Sequence, residues 1–195
     1  FHKDNSLFDK YCFSIFLRLP CFKYITPKTI NKFWMTLIRC YKHTMTYPRT
    51  INRRTNLREV SPGIYIGGIY SLPYMADKIL AKVILTDIRT VNSENDQKKI
   101  LESIRDYGPI LYLPFDDRTP IPNYVFETVW AMYTSTGSML IMCYAGISRS
   151  VSVTYALMVM SGFSREIAMA VCFDSDQVPH PITFESANKW LDSKR

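Results

Sequence analysis

Cys143 and Arg149 stand six residues apart in Cys143-Tyr144-Ala145-Gly146-Ile147-Ser148-Arg149, and Ser150 follows at once. Residues 138–142 before them are mostly apolar, as suits a buried strand. Val151 to Met160 after them suit a buried helix. A chain that leaves a strand and enters a helix carries backbone N–H groups with no helical partner. With Gly146 and small neighbours, those groups can curl round one tetrahedral anion, and the helix dipole adds to the attraction. Arg149 offers a planar fork for two of the anion's oxygens. The same positive field favours thiolate over thiol at Cys143. A phosphoryl group captured there would have a nucleophile beneath it, in line with its leaving oxygen.

Spacing alone is a weak signal. Cys12 and Arg18 repeat it in CFSIFLR, a bulky stretch without glycine that reads as helix, where the amides are already bonded. Cys12, Cys21, Cys40 and Cys172 read as small apolar core residues.

The elements that must position Cys143 follow from the pattern along the chain. Ile64–Ile66 reads as a short strand closed by Gly67-Gly68, and Ser71 and Pro73 open a helix towards Leu80. KVILTDI is a β-branched strand over 82–88. Ser93 caps a helix to Tyr107, with Gly108 as its stop. ILYLPF predicts a strand over 110–115, and a helix runs from about Pro122 to Tyr133 and stops before Gly137. After the strand 138–142, helices suit 149–161, 165–173 and 183–193. Alternating strands and helices predict a mainly parallel sheet covered by helices. Ligands of such sheets bind beyond the carboxyl ends of the strands, which is where Cys143 falls.

The 195 residues suit one compact domain plus an appendage. Residues 1–60 hold twelve Lys/Arg against three Asp/Glu, a balance of +9, while residues 61–195 balance at −2. The basicity belongs to an aromatic N-terminal segment. It predicts one helix through Leu7–Leu17, a second after Thr26-Pro27, and PRTINRRTN as a linker. Five cysteines without regular spacing argue against a disulfide framework and for a reducing compartment such as the cytoplasm. Three histidines and no C-x-x-C pair argue against a metal site. No apolar run reaches the roughly 18 residues of a membrane span.

MCYAGISRS resembles the signature loop of the cysteine-dependent dual-specificity protein phosphatases, H-C-x-x-G-x-S-R-S, through Cys143, Gly146, Ser148, Arg149 and Ser150. The Ala145-Gly146-Ile147 version is similar to the protein-directed members. Lipid-directed relatives usually carry lysines in this loop, and none lies between Cys143 and Arg149. SPGIYIGG resembles the family's opening strand and HPITF the start of its last helix. The resemblance covers about residues 57–195, a dual-specificity-phosphatase-like domain after a helical extension over 1–56.

The resemblance implies an α/β fold, a phosphocysteine mechanism, and neither cofactor nor metal. Cys143, Arg149, Asp117 and Ser150 would be catalytic, and Tyr144, Ala145, Gly146, Ile147 and Ser148 would bind substrate. A general acid is needed because an alkoxide or phenoxide leaves poorly without a proton. In the family it is an aspartate after the strand preceding the signature strand. LPFDDRTP offers Asp116 and Asp117 there, and the family's usual ending favours Asp117. Both could instead be turn-formers ahead of Thr119-Pro120. Ser150 would donate a hydrogen bond to the sulfur, cap the helix, or do both.

The chain departs from the family at Met142, where a loop-organising histidine is usual; a thioether is at best a weak acceptor. Activity is expected, at a lowered level. Asp174 and Asp176 lie where basic residues are common near the pocket, and would repel acidic peptides or be solvated loop charges. Two other functions compete: a phosphate-binding pseudophosphatase with weak or no turnover, and an RNA 5′-phosphatase. The balance of −2 over residues 61–195 weighs against nucleic acid. The aromatic residues of 1–56 could pack on the domain, dock a partner, pair two copies or lie on an anionic membrane. Some viral members of the family dimerise through N-terminal helices, which is the analogy for a homodimer in a host cytoplasm or virion.

Overall fold

A computed structural model describes residues 49–75, 81–105, 109–174 and 177–194, within a compact unit that runs Pro48–Arg195. The expected helices before Pro20 and after Pro27, the readings of Cys12, Cys21 and Cys40, and, up to residue 48, the docking, pairing and membrane readings of residues 1–56 lie outside the described residues. So do the helix end at Tyr107-Gly108 and the charge of Asp176.

Six strands form one sheet in the order β1-β2-β3-β6-β4-β5. They are β1 (Arg49–Asn52), β2 (Leu57–Ser61), β3 (Ile64–Gly68), β4 (Ala81–Ile84), β5 (Ile110–Tyr112) and β6 (Met139–Cys143). β3, β6, β4 and β5 run parallel, while β1 and β2 are added antiparallel at one edge. Among the described residues, five helices complete the α/β fold: α1 (Glu94–Arg105), α2 (Asn123–Thr136), α3 (Arg149–Met160), α4 (Arg165–Cys172) and α5 (Pro181–Asp192).

The five residues of β6 are all buried, as expected of a central parallel strand covered on both faces. Their side chains alternate. Met139, Ile141 and Cys143 join a core with Val125, Val153, Leu157 and Trp190 from α2, α3 and α5. Leu140 and Met142 join a second core with Leu57, Ile69, Leu72, Ile84 and Ile100. Each fully buried aliphatic side chain contributes about 1.5–3 kcal/mol. This burial fixes the strand register, and with it the height at which Cys143 leaves the sheet.

Several elements differ from the sequence expectations. The supposed linker PRTINRRTN contains β1 and a 3₁₀ turn over Arg53–Thr55. Its charge and polarity resemble a linker because β1 is an edge strand, where such residues are tolerated. The stretch from Ser71 belongs to a 3₁₀ segment, Ile69–Met75, with Pro73 inside it. β4 is shorter than 82–88, since Asp87 instead caps a 3₁₀ turn over Ile88–Thr90 by accepting from the Arg89 N–H. β5 stops at Tyr112, two residues before Pro114, which has no N–H for a ladder. α5 starts at Pro181 rather than 183, with His180 Nδ1 accepting from the Ile182 N–H.

Cys172 is a core residue, as expected: it is fully buried, and burial pushes its thiol up to about 12. The Arg58 guanidinium donates to the Val171 and Cys172 carbonyls, two of the C-terminal acceptors that α4 leaves unpaired. Because folding raises this thiol, the native state keeps a proton that the unfolded chain releases near pH 8.5, so stability declines above that pH. Iodoacetamide at pH 8 is expected to leave Cys172 unlabelled until the chain unfolds, read by peptide mass mapping. Prompt labelling of the native chain would contradict its burial.

Candidate active site

β6 delivers Cys143 opposite Gly68 of β3, with Met142 opposite Ile84 of β4. The following loop leans on the end of β3, where the Ile69 N–H donates to the Tyr144 carbonyl at 3.1 Å. Gly146 has φ +77°, and a Cβ there would lie 2.5 Å from Gly68 N and 2.6 Å from Gly67 C. Backbone cannot yield to such an approach, so only glycine fits. Gly68 provides the seat from the other side: its own Cβ would meet Tyr144 O at 3.0 Å and Ala145 C at 3.1 Å. The pair Gly67-Gly68, read above as a strand ending, is the platform on which the loop turns.

The Cys143 sulfur lies 3.3 Å from the Gly146 N–H donor and 3.2 Å from Ser150 Oγ. Ser150 is fully buried in the first turn of α3, so its hydroxyl is held against the sulfur by the helix. Ser148, at the N-cap of α3, makes no side-chain cap. Its Oγ accepts from the His180 N–H at 3.0 Å and lies 3.1 Å from Thr183 Oγ1, which ties the loop to α5. On the opposite flank Asn56 Nδ2 donates to the Ala145 carbonyl at 2.7 Å, and Gln177 Nε2 donates to the Asn56 carbonyl at 3.2 Å.

Arg149 is 7% exposed, and its guanidinium has two distinct edges. Nη1 donates to the carbonyls of Leu85 at 3.0 Å and Phe115 at 2.7 Å, joining the end of β4 to the loop after β5. Nη2 reaches Thr86 Oγ1 at 3.4 Å. Nε is buried and makes no hydrogen bond; Asp117 Oδ1 stands 3.6 Å from it. Nε therefore lacks a hydrogen bond but not an opposite charge, since the Asp117 carboxylate forms an ion pair with it. The Nε–Nη2 edge is the one suited to two oxygens of a tetrahedral anion.

Asp117, Cys143, Tyr144, Ala145, Ile147, Ser148 and Arg149 all line one open cleft of about 300 Å³, together with Arg118, Val178 and His180. Asp116 does not line it; the Asp116 carbonyl accepts from Thr119 Oγ1 at 2.7 Å. Arg118, Val178 and His180 were not singled out from the sequence. Neither were Asn56 and the carbonyl anchors at Leu85 and Phe115. Main-chain acceptors carry no sequence signal, and Asn56 lies 89 residues from the carbonyl it holds. Asp174 is not among the cleft residues. It acts on Arg58, whose charge it favours, and pairs with Gln177 in an isolated β-bridge. Among the described residues, no three His, Cys, Asp or Glu side chains converge as a metal site would require.

Neither a family model nor a curated protein sequence matches the chain. Solved structures do. Tk-PTP in its active form is 19% identical, with a TM-score of 0.56 over 71% of this chain and 97% of that one. A human tyrosine phosphatase-like serine/threonine/tyrosine-interacting protein is also 19% identical, with a TM-score of 0.57 over 73% and 99%. A mouse putative dual specificity phosphatase complexed with zinc tungstate is 16% identical, with a TM-score of 0.55 over 77% and 94%. The domain has the dual-specificity phosphatase fold. Within that fold Met142 departs from the resembling signature. It is fully buried among Leu57, Ile69, Leu72 and Ile84, on the sheet face away from Cys143, where a thioether packs without leaving a polar group unpaired.

Proposed function

We propose that the domain is a phosphoric monoester hydrolase that removes phosphate from phosphotyrosine and from phosphoserine or phosphothreonine in proteins, through a phosphocysteine intermediate. One observation carries the reading: a sulfur that accepts from the Gly146 N–H and lies 3.2 Å from Ser150 Oγ lines the same cleft as Arg149, whose buried Nε makes no hydrogen bond and has the Asp117 carboxylate 3.6 Å away. Cys143 attacks phosphorus, the bond to the leaving oxygen breaks, and Asp117 gives that oxygen its proton. The equatorial oxygens rest on loop N–H groups and the Nε–Nη2 edge of Arg149. Asp117, now a carboxylate, takes a proton from water as the water attacks phosphorus and the sulfur leaves. The Ser150 hydroxyl stabilises the departing sulfur. The cleft wall offers Tyr144, Ile147 and Val178 to the substrate, with two arginines and no lysine, a poorer match to a polyphosphate or RNA end than to a phosphopeptide.

The human neighbour's name describes an interacting protein, which motivates a second reading, a module that binds phosphopeptide without turnover. Kinetics on p-nitrophenyl phosphate and on phosphotyrosine and phosphothreonine peptides test both. Asp117→Ala is expected to lower kcat on the phosphothreonine peptide about 10²–10³-fold. The loss on p-nitrophenyl phosphate should be smaller, because its leaving group needs less help from a proton. Equal losses on the two would remove Asp117 from the acid role. A wild-type chain that binds orthovanadate yet hydrolyses none of the three would favour the binding module.

A further inference from the structure

A trans peptide unit is planar, with its carbonyl and N–H pointing in opposite directions, so holding one end aims the other. In the unit joining Ala145 to Gly146, the carbonyl accepts from Asn56 Nδ2 at 2.7 Å and the N–H donates to the Cys143 sulfur at 3.3 Å. Asn56 is itself fixed. Its φ of +54° lies in the left-handed region, which asparagine tolerates better than most residues. Its carbonyl accepts from Gln177, a residue only 4% exposed. The preceding unit of the loop is held in the same sense, with the Tyr144 carbonyl taken by the Ile69 N–H. Met142 faces the apolar core on the other side of β6 and so does not share this work.

We propose that Asn56 is a positioning residue for Cys143. By holding the Ala145 carbonyl outward, it keeps the Gly146 N–H on the sulfur and the loop in the shape that receives an oxyanion. Its effect on turnover rests on the phosphatase reading; its effect on oxyanion binding does not.

Two variants of the full chain test the proposal, with orthovanadate as the probe. Asn56→Gly keeps the left-handed backbone and removes only the side-chain donor. It is expected to weaken orthovanadate binding and to lower kcat on p-nitrophenyl phosphate, each about tenfold, with the thermal midpoint close to wild type. Asn56→Asp keeps shape and backbone tolerance but turns an acceptor towards the Ala145 carbonyl at neutral pH, and should lose more. Its carboxyl regains a donor on protonation, near pH 4. Its deficit in orthovanadate binding relative to wild type therefore shrinks between pH 7.5 and pH 4.5, whereas a purely structural defect would leave the ratio unchanged. Wild-type binding in both variants, or a ratio that ignores pH, overturns the proposal. If no chain turns over but binding falls as stated, the positioning role stands and the phosphatase reading fails. If wild type hydrolyses and both variants match it in rate and binding, the reverse holds.

Discussion

Turnover of p-nitrophenyl phosphate is expected to fall by about 10⁴-fold or more in Cys143→Ser, with orthovanadate or phosphopeptide binding retained. A serine oxygen would occupy nearly the same point, beneath the same anion and near the same two groups, the Gly146 N–H and the Ser150 hydroxyl. What it lacks is ionisation. A thiol gives up its proton far more readily than an alcohol, and the two contacts to the sulfur include no general base. His180, the histidine lining the cleft, has its Nδ1 engaged at the start of α5. The serine hydroxyl would stay protonated and attack poorly, while loop and arginine still bind the anion. Acid-quenched wild type mixed with substrate should carry a phosphoryl group on the Cys143 peptide by mass spectrometry. A serine variant within tenfold of wild type, or a phosphoryl group found elsewhere, would sink the covalent mechanism.

The parts of this fold that were legible in the sequence are those whose physics is local. The apolar run ending at Cys143 and the apolar helix after Arg149 announce a buried strand and helix. Gly146 marks a crowded loop that needs a small residue, and the structure adds the reason, a φ of +77° against the backbone of Gly67 and Gly68. β1 was hidden because an edge strand needs no apolar alternation, and its charged residues read as a linker. The division of work on Arg149 was hidden as well: the residue is visible in sequence, but its anchors are main-chain carbonyls of Leu85 and Phe115, 64 and 34 residues away. Between Asp116 and Asp117 the residues themselves gave no preference and the resemblance favoured Asp117, the one of the two that lines the cleft. The setting of Met142 was also out of reach. Sequence marks a departure at that position, whereas the packing shows a largely apolar core that a thioether suits.

Arg149 joins stability to chemistry, so its replacements should separate the two. Arg149→Ala removes the Nε–Nη2 edge that the anion would use, and kcat/KM on p-nitrophenyl phosphate is expected to fall about 10³–10⁴-fold. It also strips the Leu85 and Phe115 carbonyls of their donor, so the fold should lose about 1–3 kcal/mol in urea unfolding. The Phe115 carbonyl lies two residues before Asp117, so the proposed acid is loosened by the same change. Arg149→Lys supplies one ammonium with three donors but no fork. Satisfying both carbonyls draws that ammonium to the anchor side, away from the edge that Nε now presents to the cleft. The lysine variant should therefore recover much of the lost stability while its kcat/KM remains within about tenfold of the alanine variant. Near-wild-type kcat/KM in the lysine variant would mean that charge alone suffices, and that the planar edge has no special part in holding the phosphoryl oxygens.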